Sequence, residues 1–217
     1  MKWRQYGRNA ILIDFAEKPD EWAFHKCRAI CNFLETKSPP QVLEFVPGYT
    51  NVLLELDTSG LQGMEELARA IIRDFEGVIT RKIPPGPLHK ITVKYNGPDL
   101  ERVAQHHKIT PEQVVKFHSA PVYKVYLLGF SPGFPYLGDL HHKLHTPRLE
   151  SPRLRVPTGS VAIGGKHTGI YSVDSPGGWN IIGCTDTILF DSTRIGSGSE
   201  ESAFLLKQGD LVRFTPA

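Results

Sequence analysis

From Tyr123 onward the chain is cut into short apolar runs, and this punctuation limits its fold more than any other feature. The runs are "VYKVYLLGF", "SVAIGG", "KHTGIYSV", "WNIIGCT", "ILF" and "DLVRFTP", separated by Gly, Pro, Ser and Asp. Each is long enough for a strand and short for a helix. Many short strands with regular turn signals predict a barrel or a sandwich. A strand, "KITVKY", and two short helices, "NGPDLERVAQHHK" and "TPEQVVKFHSA", precede them. Thr110 fits an N-cap, with Pro111 at the first helical position and Gln113 closing a capping box.

The first half follows a different rule. "RNAILIDF" reads as a strand. From Pro19 to Thr36, Ala23, Phe24, Cys27, Ile30, Cys31 and Leu34 recur at helical spacing. "QVLEFV" and "NVLLELD" form a hairpin around "PGYT". Ser59 and Gln62 fit a capping box for a second helix with the apolar face Leu61, Met64, Leu67, Ala68, Ile71, Ile72 and Phe75. "GVITRKI" reads as a closing strand. This β-α-β-β-α-β order is the ferredoxin-like pattern. "PPGPLH", residues 84–89, separates the halves. The expected class is α+β, with a ferredoxin-like domain over 1–86 and a β-barrel domain over 87–217.

Composition excludes some functions. The chain has 217 residues, 25 basic and 23 acidic, for a formal net charge of +2. That balance makes no case for nucleic acid or an anionic membrane as partner. No stretch approaches a membrane span, and the apolar run "AILI" is too short for a signal-peptide core. Three cysteines, Cys27, Cys31 and Cys184, make no disulfide framework. A cytoplasmic protein is expected.

Candidate chemistry concentrates in the second half. "TPRLESPRLRVPTGSVAIGG" sets Arg148, Arg153 and Arg155 among prolines that fix the backbone. Arginine offers a planar fork to a carboxylate or phosphate. Gly159, Gly164, Gly165, Gly177 and Gly178 allow backbone N–H groups to approach a ligand. Arg148, Arg153 and amides near Ser160 and Gly177–Gly178 could together hold a small anion. The competing reading ties these arginines to acidic partners such as Glu150 and Asp139. His167, after Lys166 on a strand edge, is a further contact. "HHKLH" (His141, His142, His145) has an i, i+4 pair but no ligand-spaced Cys or Glu, so no metal is expected. His118 is expected to meet the terminal carbonyls of its helix. Trp179 reads as a core anchor. "GFSPGFPYLGDL", residues 129–140, is stiff yet apolar, with Pro132 and Pro135 arguing against a central strand. No G-x-S-x-G or Walker A sequence occurs, so the chain has no ATP loop of that kind.

"GFSPGFPYLGDL", "PRLESPRLRVPTGSVAIGG", "TGIYSVDSPGGWNIIGCT" and "GDLVRFTP" resemble the allophanate hydrolase subunit 1 (KipI) family, as do "VPGYTNVLLELD" and "GPDLERVA". The resemblance spans nearly the whole chain. It implies that the C-terminal barrel is cyclophilin-like. It implies the B subunit of an ATP-dependent 5-oxoprolinase, opening 5-oxoproline to L-glutamate with a homologous C subunit, with a larger A subunit, and inactive alone. Family alternatives are an inhibitor of histidine kinase autophosphorylation and a urea carboxylase-type carboxyltransferase part. Arg148, Arg153, Ser160, Ser175, Gly177 and Gly178 match the family pattern and, together with His167, are the expected substrate-binding positions. Phe130, Pro132, Phe134, Tyr136, Tyr171 and Trp179 match as pocket or interface positions. None is assigned a catalytic role. His167 stands where glutamine is common, Cys184 where arginine is common and Asp186 where proline is frequent.

Overall fold

The computed structural model describes residues 1–17, 20–60, 63–81, 83–196 and 203–217. The chain divides into two units, Met1–Pro84 and Pro85–Ala217.

The first unit is one antiparallel sheet backed by two helices. Strands β1 (Lys2–Tyr6), β2 (Ala10–Asp14), β3 (Val42–Pro47) and β4 (Asn51–Leu56) lie in the order β1-β2-β4-β3. Helix α1 (Glu21–Lys37) starts at Asp20, whose carboxylate accepts from the Ala23 N–H at 2.7 Å. Helix α2 spans Met64–Glu76 and has no side-chain cap. Gln62 and Leu61 of the expected second helix lie outside the described residues, and the helix opens after Gly63 instead of at Ser59. Cys27 and Cys31 are buried in α1 among Ile11, Ile13, Ile30, Leu54 and Phe75, as small apolar residues would be.

One expectation fails here. Among its described residues "GVITRKI" forms no strand: residues 77–80 are turns, 81 is a bend, and Val78 N–H bonds back to Phe75. The edge place beside β2 is taken by β1, a segment without a strand signal in the sequence. Of its residues only Trp3 packs against the core; the others are exposed. An edge strand with one inward side chain has no alternation to detect.

The second unit is a curved sheet that nearly closes. Its strands are β5 (Leu88–Val93), β6 (Tyr123–Leu128), β7 (Pro135–Gly138), β9 (Ser160–Gly164), β10 (His167–Ile170), β12 (Asn180–Cys184) and β13 (Leu211–Pro216). Their order is β12-β9-β10-β7-β6-β13-β5. The two outermost strands are joined by reciprocal backbone bonds between Lys94 and Cys184, at 2.8 and 2.9 Å. β8 (Arg153–Val156) and β11 (Ser175–Gly177) form a separate ribbon. β7 corrects the reading of "GFSPGFPYLGDL": the segment re-enters the sheet between β10 and β6. Pro135 is the strand's first residue, where its missing N–H is tolerated. "ILF" contributes only an isolated bridge, Phe190 to Phe204.

Strand alternation builds two cores. Val161 and Ile163 of β9, Ile170 and Ile182 enter the main core with Val93, Val125 and Phe214. Ala162, Tyr171 and Ile181 point the other way, into a second cluster with Phe134, Val156 and Trp179. Helices α3 (Leu100–His107) and α4 (Pro111–Ser119) pack Val103, Ala104 and Val114 against the main core. The Thr110 capping box forms as expected. His118 does not cap helix carbonyls. It is buried, with Nε2 2.8 Å from Thr168 Oγ1, Nδ1 2.7 Å from Tyr95 Oη, and its ring stacked on Phe214. Burial pushes its pKa down to about 3, so it is neutral. No helix among the described residues is long and apolar enough to cross a membrane.

Candidate functional site

The second cluster gathers the aromatic positions singled out in the sequence. Phe134 is its hub, with ring centroids 5.2 Å from Tyr136, 5.2 Å from Tyr171 and 5.4 Å from Trp179, all near edge-to-face. Each such pair contributes about 0.5–1.5 kcal/mol beyond its buried area. Trp179 is the buried anchor expected, and it lies flat on the backbone of Gly164. A Cβ at Gly164 would sit 2.8 Å from the indole. A Cβ at Gly177 would collide with the Tyr171 hydroxyl. These two glycines allow the close approach of aromatic rings.

The arginines separate. Arg153 Nη2 donates to Asp99 Oδ1 at 2.7 Å, and the other Asp99 oxygen accepts from the Ile181 N–H at 2.7 Å. Asp99 is buried at the start of α3, so its carboxylate joins helix, β12 and β8. The expected acidic partners, Glu150 and Asp139, are not those used. Arg155 pairs with Asp174 at 2.5 Å on the surface. Thr158 first, then Arg155, hold the Asp174 carboxyl below its ordinary range. Arg148 makes no ion pair among the described residues. Its guanidinium carbon stands 5.7 Å from the Trp179 ring centroid, and its side chain is exposed.

Around Arg148 the polar groups are graded by burial. His167 is half-buried, 6.4 Å from the Tyr136 ring. Burial chiefly lowers its pKa; Arg148 and His145 add to this, while Asp139 and a backbone bond at Leu137 oppose it. A largely neutral imidazole at pH 7 follows. Burial raises the Tyr171 pKa, against a backbone hydrogen bond from Trp179 and the charges of Arg148 and Arg153. The hydroxyls are engaged locally: Ser160 Oγ donates to Pro157 O at 2.7 Å and Ser175 Oγ to Val173 O at 3.4 Å. Gly178 O accepts from the Leu149 N–H at 2.7 Å, which fixes the approach of the Arg148 segment.

Phe130 stands apart. It packs on Phe134 at 5.6 Å but is 64% exposed, with a backbone φ of 69°. That left-handed conformation costs about 1–2 kcal/mol for a residue with a Cβ. Phe130, Leu128, Pro132 and Phe204 line an apolar groove of about 460 Å3. Pro132 O accepts from Ser172 Oγ at 2.5 Å, which pins the loop.

Residues that the sequence did not mark also shape the site. Asp99 is one. Asn180 is another: it is fully buried, donates to Pro147 O at 2.9 Å and Ile163 O at 3.2 Å, and accepts from Arg102. The only signal for Asp99 was "GPDL" before a helix, and nothing in it points to an arginine 54 residues away. Among the described residues no cluster of His, Cys, Asp and Glu could hold a metal ion. His141 stacks on Phe117 at 4.5 Å, and His145 Nε2 meets Leu140 O at 2.9 Å.

Comparison with known proteins sets this geometry in a family. The family described as carboxyltransferase domain, subdomain C and D, matches residues 1–197. The chain is 43% identical over 183 residues to the 5-oxoprolinase B subunit of Escherichia coli O157:H7, covering 82% of this chain and 79% of that protein. It is 34% identical over 222 residues to the 5-oxoprolinase B subunit of Bacillus subtilis strain 168, covering 97% and 90%. The crystal structure of TTHA0988 superposes with a TM-score of 0.83 at 35% identity, over 100% of this chain and 40% of that one. The chain thus spans about two-fifths of that solved protein. It belongs to the carboxyltransferase domain, subdomain C and D, family.

Proposed function

We propose that this family member is the B subunit of an ATP-dependent 5-oxoprolinase. The observation that carries the reading is likeness to proteins of that name at 34% and 43% identity over most of the chain. A ferredoxin-like first domain (1–86) and a cyclophilin-like second domain (87–217) belong to the same reading. So do its partners, a homologous C subunit with a larger A subunit. ATP is used by the complex; this chain has no Walker A loop.

The lactam carbonyl of 5-oxoproline is deactivated by the ring nitrogen. Transfer of a phosphoryl group from ATP to the carbonyl oxygen makes the carbon electrophilic. Water then adds to that carbon, the C–N bond breaks with the nitrogen leaving as the protonated amine to give γ-glutamyl phosphate, and a second water hydrolyses this acyl phosphate to L-glutamate and phosphate. In this chain we assign the substrate carboxylate to Arg148, since its fork has no acidic partner among the described residues and Trp179 supports it. Arg153 is engaged by Asp99 and acts by positioning the segment. Neutral His167 lies near Arg148 and Tyr136 and helps to shape the same face. Tyr136 and Tyr171 wall the site.

The test is 5-oxoproline-dependent phosphate release in a mixture of this chain with the A and C components, each omitted in turn. Turnover is expected to need this chain. Arg148→Ala should raise the KM for 5-oxoproline about tenfold or more with a smaller change in kcat. Equal phosphate release without the chain would sink the enzyme reading.

A second reading has one observation in its favour. Exposed Phe130, held in a costly backbone conformation beside an apolar groove, suits a surface that grips a protein. Inhibition of histidine kinase autophosphorylation would use such a surface without any catalytic group. It is tested by adding the chain to a kinase autophosphorylation assay, with and without the Phe130→Ala change.

A further inference from the structure

The first unit carries a cavity of about 510 Å3 at one end of its sheet, and strand alternation explains its lining. β1 sends Trp3 into the core, so Lys2 and Arg4 project from the opposite face. β2 sends Ile11 and Ile13 inward, so Asp14 projects beside them. Lys2 and Asp14 are direct partners in the β1–β2 register. Arg4 Nε lies 3.9 Å from Asp14 Oδ2, a loose ion pair with room for exchange. Glu17 adds a second carboxylate, and Met1 and Ala16 add apolar lining.

The lining therefore holds two basic side chains, two carboxylates and apolar atoms of Met1 and Ala16, in a volume within the range of small-molecule sites. A simple anion would face Asp14 and Glu17. A simple cation would face Lys2 and Arg4. A zwitterion meets both pairs at once and brings no uncompensated charge.

We infer that this cavity binds a small zwitterion of the α-amino-acid class. Its carboxylate faces Lys2 and Arg4, its ammonium faces Asp14 and Glu17, and its side chain lies along Met1 and Ala16. The site lies wholly within the first unit and does not depend on the reaction proposed for the second.

Saturation-transfer NMR on the full chain tests it, with the twenty protein amino acids presented in groups. At least one should bind with a dissociation constant near or below about 1 mM. Calorimetry then compares each bound amino acid with its deaminated and decarboxylated analogues. Each analogue should bind about tenfold weaker or more, because one charged pair is lost. Asp14→Asn should abolish binding at unchanged melting temperature. Lys2→Gln, at an exposed position, should weaken it and keeps the test open should Asn at position 14 disturb the hairpin. Absence of saturation transfer up to about 10 mM overturns the inference. So does equal binding of either analogue, or binding indifferent to both substitutions.

Discussion

Arg148 and Arg153 stand five residues apart in one proline-rich segment, yet they occupy opposite environments. Arg153 reaches inward to a buried carboxylate that also holds a backbone N–H, so its fork is committed. Arg148 lies outward over an indole with no acidic partner among the described residues. The difference shows that a residue type in a suggestive loop says little until its counter-charge is located. Inside the seam, polar groups are paired and act on stability. On the outer face, Arg148 keeps its fork open and remains able to act on a ligand.

Acidification probes the interior most strongly. Buried His118 has its pKa depressed from 6.5 to about 3, so between those values the unfolded chain binds the extra proton. Stability from this group is therefore present above pH 6.5 and is lost as pH falls toward 3, by on the order of 5 kcal/mol in all. Urea unfolding at pH 8, 6 and 4.5 should show it as a falling midpoint. A midpoint unchanged across that range would mean that His118 is not sealed from water.

Removing the inner carboxylate comes next. Asp99→Ala leaves the Ile181 N–H without its acceptor and the Arg153 guanidinium with only a 3.5 Å contact to Trp179 O, in a mostly buried place. The expected loss is about 3 kcal/mol, read from urea midpoints. Arg153→Ala should cost about 1–2 kcal/mol, since Asp99 keeps its backbone donor. Arg148→Ala should cost under about 0.5 kcal/mol. If Arg148→Ala destabilised as much as Arg153→Ala, the contrast between the two would collapse.

Gly164→Ala attacks the floor under the outer face. The added methyl meets the Trp179 ring at 2.8 Å and must push it aside. A loss of about 1–3 kcal/mol is expected, with a change in the near-ultraviolet dichroism of Trp179. The effect on substrate KM should exceed that of equally destabilising changes in the first unit, if Arg148 depends on the indole for its place.

Much of the fold was legible where local chemistry and tertiary context agree. The β3–β4 hairpin, the Thr110 capping box and the alternating strands β9, β12 and β13 were all readable. Three elements were not. β1 carries one inward residue, Trp3, too few to make a pattern. β7 is hidden by Pro132 and Pro135, because a strand that starts on a proline looks like a loop. Residues 77–81 have strand propensity, but the place beside β2 that a closing strand would take is occupied by β1. At the site the residue types were readable and their partners were not. The Asp99–Arg153 pair closes only once β8 and α3 are brought together by the barrel.

Phe130 gives the finest test of the outer face. Its ring is mostly in water, so truncation removes little buried area. Its φ of 69° is one that glycine adopts freely. Phe130→Gly should therefore be neutral or stabilising, within about 1 kcal/mol, even though a large aromatic residue is lost. Phe130→Ala keeps the backbone cost and loses the edge contacts to Phe134 and Tyr171, so it should be the less stable of the two. If the residue is kept for a partner, both variants should weaken assembly with the A and C components, as measured by sedimentation, while leaving the isolated chain folded. Unchanged assembly with the stability order intact would assign the strain to loop geometry and remove the groove from the set of working surfaces. A marked loss of stability in Phe130→Gly would show instead that the ring clamps the aromatic cluster from outside. The division between a sealed interior and a free outer face would then have to be drawn beyond Phe130.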